Sequence, residues 1–134
     1  MKFTFITKYV EYYMHLDNVR VVNLLRYRYK GKAIIYGFRC LVDGMVYVGS
    51  TTMPKLRFHN HLITGSHSNA ALQAAINEHG LENFVAYVFE LVVLPPNASK
   101  EQVSSIMRSA EQRHINKFPK AQLYNSINSS VQSS

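Results

Sequence analysis

Asp43-Gly44 stands between two runs rich in β-branched and aromatic residues, AIIYGFRCLV before it and MVYVGST after it. An Asp-Gly pair in that setting signals a tight β-hairpin. If those two residues are the whole turn, Tyr36 faces Thr51, Tyr47 faces Cys40, and both tyrosines lie on one side of the sheet. They would then be about four residues apart along the strands, or ~13 Å at ~3.4 Å per residue, so direct contact is not expected. A wider turn would shift this register.

The rest of the chain arranges itself around that hairpin. Pro54 suits the first turn of a helix running through KLRFHNHLIT to Gly65. Ser68 is placed to cap a second helix that carries ALQAAI inward and stops at Gly80. FVAYVFELVV then reads as a third strand with Val85, Tyr87, Phe89 and Leu91 on one side. Beyond Pro95-Pro96, Ser99 and Gln102 form a capping box for a long helix ending at Pro119, and LYNSI follows it. The expected fold class is α+β, a small three-stranded antiparallel sheet flanked by helices. A chain of 134 residues buries one core of ordinary size. Residues 1–32 read as a basic aromatic extension, 33–127 as the folded domain, and 128–134 as a frayed Ser-rich tail.

The chain is 47% hydrophobic and 17% charged, which suits a folded globule rather than a disordered segment. Its net charge of +7 favours a phosphate-rich partner. Most of that excess lies in residues 1–32, where seven Lys and Arg face Glu11 and Asp17 for a net +5. Within this stretch RYRYKGK interleaves bases with rings, making Arg26, Arg28, Lys30 and Lys32 candidates for contact with a nucleic-acid strand. The same stretch could instead cover a sheet edge. Cys40 is the one cysteine, which excludes an internal disulfide and a cysteine-rich zinc site and suggests a reducing compartment. Glu90 interrupts the longest apolar run, and Glu11 and Asp17 interrupt any signal-peptide core. An intracellular protein with no membrane association is the expectation.

Three features bear on chemistry. Glu111 lies beside the apolar stripe Val103, Ile106, Met107, Ala110, Ile115 and Phe118 of the long helix. A carboxylate facing a core is costly unless it is paired or metal-bound. Arg57 and His61 are neighbours on one helix face. His59 and His61 have poor spacing for shared ligation, and no further Cys or paired carboxylate completes a zinc set, so a zinc site is not expected.

Taken in order, IIY at 34–36, YVG at 47–49, Arg57, His61, Glu111 and Asn125 resemble the GIY-YIG nuclease domain. HSNAALQAAINEHGLENF at 67–84, AEQRHINKF and LYNSI add to the resemblance, whose pattern is nearest that of phage and organellar intron-encoded, homing-type members. It covers roughly residues 33–127. Ile34 departs from it, standing where the first motif usually has Gly. Homing members generally carry a separate DNA-binding region after the catalytic module. With few residues after the last motif, target choice here would come from residues 1–32, from a separate specificity partner, or from nowhere.

The resemblance implies a DNA endonuclease in which Glu111 holds one Mg²⁺, with Mn²⁺ a substitute. Mg²⁺ needs only one or two carboxylates beside its waters and substrate phosphate, so a solitary acid suffices. Arg57 would offer a guanidinium fork to the phosphate. Tyr36 would be the general base, Tyr47 would hold or share the proton, and His61 would relay it or orient a hydroxyl. The reverse assignment of the two tyrosines stays open. A tyrosine ordinarily titrates near ~10, so Arg57 and the metal would have to lower it. Gly49 would permit close backbone approach, and Asn125 would orient a ligand or water near Glu111. The enzyme would act as a monomer or as a transient dimer on DNA. Two rival readings are a non-catalytic nucleic-acid-binding module of the same fold, and a purely structural site in which Glu111 pairs with Arg57 or Arg113.

Overall fold

The computed structural model describes residues 9–65 and 69–127. Strand β1 (Glu11–Tyr13) leads to helix α1 (Val19–Arg28), the hairpin of β2 (Ala33–Cys40) and β3 (Val46–Thr51), and helix α2 (Pro54–Leu62). Helix α3 (Ala70–His79), strand β4 (Phe84–Val92) and helix α4 (Lys100–Ile115) complete the order.

The hairpin forms where Asp-Gly places it, but its turn is wider than two residues. Tyr36 faces Gly49 and Phe38 faces Tyr47. Gly44 N–H donates to the Cys40 carbonyl and Cys40 N–H to that of Met45, so Leu41 and Val42 join the turn. Gly44 takes φ 77°, while the Asp43 carboxylate accepts from Met45 N–H at 2.9 Å. The register therefore slips by two. A slip of two keeps every side chain on its face and brings Tyr36 and Tyr47 two residues apart instead of four.

The sheet has four antiparallel strands rather than three, in the order β1-β4-β2-β3. The fourth comes from the basic extension, with Tyr12 opposite Tyr87, and it covers what would otherwise be an open edge of β4. On the other side of β4 the pairing with β2 shifts between Ile35 and Tyr36, leaving Phe89 as an extra residue. That bulge explains why Leu91 does not follow Val85, Tyr87 and Phe89 inward and is instead exposed.

Two apolar layers flank the sheet. Val22 and Leu25 of α1, Phe58 and Leu62 of α2, and Leu72 and Ala75 of α3 pack with Tyr36, Phe38, Phe84 and Val88 on one face. On the other, Met107 and Ala110 of α4 and Phe118 pack with Ile35, Val46, Val48 and Phe89. Leu16, Val22, Leu25 and Tyr29 tie the extension into the first layer. Glu11 accepts from Tyr13 Oη at 2.6 Å and Arg28 Nε at 2.7 Å, and also from Tyr29 Oη.

Helix ends follow local chemistry. Pro54 opens α2, and Ser99 and Gln102 cap α4 reciprocally. Asn69 caps α3 by accepting from Leu72 N–H, whereas Ser68 lies outside the described residues. The 128–134 segment lies outside them as well. Among the described residues no helix is long and apolar enough to cross a membrane.

Candidate active site

Tyr36 stands in the middle of β2, fully buried, and its ring runs beneath the edge strand at Gly49. A Cβ at position 49 would lie 2.6 Å from both Cζ and Oη of Tyr36. The close approach anticipated for Gly49 is therefore made by the phenol of the first motif. At the edge, Tyr36 Oη meets His61 Nε2 at 2.9 Å and accepts from an Arg57 Nη1 donor at 3.3 Å. Arg57 and His61 reach it together because they are one turn apart on α2.

Glu111 approaches from the opposite face of the sheet, on α4. Ser50 supplies the connection: its carbonyl accepts from Arg57 Nη1 at 3.2 Å and its Oγ donates to Glu111 Oε1 at 2.7 Å. This meeting is possible because β3 is an edge strand, around which side chains from both layers can converge. Among the described residues Glu111 forms no ion pair with Arg57 or Arg113; Arg113 pairs with Glu90 at 3.3 Å instead. The purely structural reading of Glu111 thus lacks both of its proposed partners.

Tyr47 sits beside this group, its ring centroid 6.3 Å from those of Tyr36 and His61. Burial drives the Tyr36 pKa well above its ordinary value, with Tyr47 adding to the rise, and Arg57 only partly offsets them. Burial also raises Tyr47, assisted by the Glu111 charge. The lowering of Tyr36 expected from Arg57 is therefore outweighed within the protein itself. Burial opposes the charge of Arg57, but Tyr36, Tyr47 and Glu111 together hold its pKa above the usual guanidinium value.

A cleft of about 410 Å³ opens next to these groups. Ser50, Thr51, Thr52 and Arg57 line one wall, and Lys100, Ser104 and Met107 line the α4 side. Ser50, Lys100 and Ser104 escaped sequence reasoning. The available signal was helical spacing: Lys100, Ser104 and Met107 precede Glu111 at steps that place them on its face.

Asn125 is held against β3. Its Oδ1 accepts from Val48 N–H at 2.9 Å and its Nδ2 donates to the Val48 carbonyl at 2.8 Å. Both ends of the amide are engaged in pairing the open side of β3, and among the described residues it makes no bond to Glu111. The basic candidates also divide. Arg28 is paired with Glu11, and Arg26 donates to the Lys55 carbonyl at 3.0 Å and to Asn23 at 2.9 Å. Lys30 and Lys32 are exposed, and Lys32 precedes Ala33 at the Thr51 end of the hairpin.

The GIY-YIG catalytic domain model matches residues 32–125, spanning both tyrosines, Arg57, His61 and Glu111. The chain belongs to the GIY-YIG catalytic domain family. This GIY-YIG chain is 32% identical over 111 residues to "Probable intron-encoded endonuclease 1" of Neurospora crassa. That alignment covers 83% of this chain and 35% of the relative, so the chain spans about a third of the relative's length. No solved structure matches it. Membership of the GIY-YIG family agrees with the α+β fold and with the order in which the site residues occur.

Proposed function

We propose that this chain is a Mg²⁺-dependent DNA endonuclease domain of the homing type, hydrolysing one phosphodiester bond per site. The observation that carries this reading is the unbroken line of contacts from the Tyr36 phenol through Arg57 and Ser50 to the Glu111 carboxylate. The endonuclease name of the Neurospora relative supports it.

Glu111 suits the ion that the family implies. Oε1 accepts from Ser50, while the other oxygen takes no hydrogen bond among the described residues. A single carboxylate oxygen set fits Mg²⁺, which retains several waters, and Mn²⁺ is a ready substitute. An ion held by Glu111 would supply Lewis-acid stabilisation to the phosphate under attack.

The protein's own residues do the rest. Arg57 presents its guanidinium to the phosphate beside the cleft, a fork that a lysine does not reproduce. Because burial disfavours a standing phenolate, Tyr36 acts as a relay: its Oη takes a proton from the attacking water as its own proton passes to His61 Nε2. The water oxygen forms the new bond to phosphorus, the bond to the 3′ oxygen breaks and that oxygen takes up a proton from solvent, so the products carry 5′ phosphate and 3′ hydroxyl. Tyr47, half-buried against the same ring, steadies this exchange. Lys100 and Ser104 lie where neighbouring phosphates of the strand would pass. Monomers, or transient dimers on DNA, perform the reaction inside the cell.

The test is incubation with supercoiled and branched DNA while Mg²⁺ is titrated, with Glu111→Ala as control. Nicking that appears with Mg²⁺, disappears with EDTA and is lost in Glu111→Ala is expected. Cleavage that persists in a clean preparation of the variant overturns the role of Glu111, and binding without any cleavage favours a non-catalytic module.

A further inference from the structure

Cys40 ends β2, Asp43 lies in the turn that follows, and His79 closes α3. Their ligand atoms, a thiol, a carboxylate oxygen and an imidazole nitrogen, all lie within 4.8 Å of one another. They stand at the turn end of the hairpin, four strand residues from Tyr36 or ~13 Å at ~3.4 Å each. The group is separate from the Glu111 site in position and in chemistry.

We propose that Cys40, Asp43 and His79 form a metal site of their own, selective for a thiophilic divalent cation of the zinc class. One sulfur, one nitrogen and one oxygen donor match Zn²⁺, whose four-coordinate shell a water completes, whereas Mg²⁺ prefers oxygen alone. The three ligands come from different segments, and those segments are already tied together. Leu41 N–H donates to the Asn83 carbonyl at 2.7 Å, and Asn83 Nδ2 donates to the His79 carbonyl at 2.7 Å. The Asp43 carboxylate is steadied by Tyr124 Oη at 3.1 and 3.2 Å and by Met45 N–H at 2.9 Å. Hydrogen bonds of this kind aim a ligand before the ion arrives. Cys40 is buried whereas Asp43 is only partly so, which puts the open side of the group at the turn. The Glu78 carboxylate, 4.0 Å from His79 Nε2, adds negative charge beside the group.

Bound there, the cation clips the hairpin turn to the end of α3, a link that stabilises the folded state in proportion to how tightly the ion binds. Neither helical spacing nor a paired Cys motif announces the site, because its ligands are one cysteine, one turn aspartate and one distant histidine.

The experiment uses the full reduced chain, loaded with Zn²⁺ or Co²⁺ and dialysed against metal-free buffer. One equivalent of zinc is expected to remain, the melting temperature to rise with zinc, and the cobalt form to show a thiolate-to-metal charge-transfer band. The band should vanish in Cys40→Ser, zinc retention should be lost in His79→Gln, and Glu111→Ala should retain zinc as the parent does. His79→Gln changes a residue at a helix end, so it decides the matter if Cys40→Ser fails to fold. Absence of retained metal in the parent, or retention unchanged in His79→Gln, overturns the proposal. Because the readouts are stoichiometry and absorption, their failure leaves the nuclease reading standing, and failure of cleavage leaves this one standing.

Discussion

Gly49 leaves the space that the Tyr36 phenol occupies, since a Cβ there would sit 2.6 Å from Tyr36 Oη. The second motif thus shapes the first. Gly49→Ala is expected to push the phenol away from His61 and Arg57, costing ~1–3 kcal/mol in stability through overpacking and more than tenfold in cleavage rate. Thermal melts and single-turnover nicking check both parts. A variant that melts lower yet cleaves at the parental rate would show that the exact seat of Tyr36 is immaterial.

The two tyrosines separate by what their hydroxyls touch. Tyr36 Oη contacts both His61 and Arg57, whereas Tyr47 packs its ring beside Tyr36 and His61 and shares a hydrogen bond with Tyr36. Tyr36→Phe should therefore abolish hydrolysis while DNA binding survives, and Tyr47→Phe should reduce the rate without eliminating it. Comparing the two variants for cleavage and for binding in Ca²⁺ assigns the base. The opposite ranking would transfer the role to Tyr47.

Acid should loosen the extension. Burial tends to raise the Glu11 pKa, but hydrogen bonds from Tyr13, Tyr29 and Arg28 outweigh it and hold the value below the ordinary 4.5. A carboxylate depressed on folding contributes stability that is present above the unfolded value and is lost as pH falls through the folded one. Glu90, lowered mainly by its hydrogen bonds with His114 and Arg113 against the effect of burial, acts in the same direction. The melting temperature should fall as pH drops below 4.5, and Glu11→Gln should lower the neutral-pH value while flattening the acid slope. Melts recorded across that range give the answer.

What could be read beforehand followed the reach of each signal. The hairpin, the opening of α2, the capping box of α4 and the Gly80 stop are local, so residue type announces them. Strand β1 is three residues long, too short for any periodic pattern, and exists because β4 offers it an edge. The turn slipped by two because Leu41 and Val42 look like strand, and only their hydrogen bonds reveal them as turn. The contact between Asn125 and Val48 joins positions 77 apart in sequence, so no local pattern announces it. Family order brought the tyrosines, Arg57 and Glu111 onto one short roster, but Ser50, which joins them, is visible only where the two faces meet.

Arg57 and Glu111 can be told apart from mere structural polar residues by paired substitutions. Glu111 has one hydrogen bond, from Ser50, and no ion pair among the described residues. Replacing it by Ala should thus alter stability by only ~1 kcal/mol, the usual scale of one hydrogen bond, while removing Mg²⁺-dependent cleavage. Arg57→Lys keeps the charge but loses the planar fork. If Arg57 grips the phosphate, the exchange should lower the cleavage rate by roughly tenfold to a hundredfold, matching ~1.5–3 kcal/mol for a hydrogen bond to a charged group. Ground-state DNA affinity should change far less, because the positive charge persists. Single-turnover rates, binding isotherms and melts on the two variants make the comparison, and a fall in affinity equal to the fall in rate would recast Arg57 as a uniform binding contact.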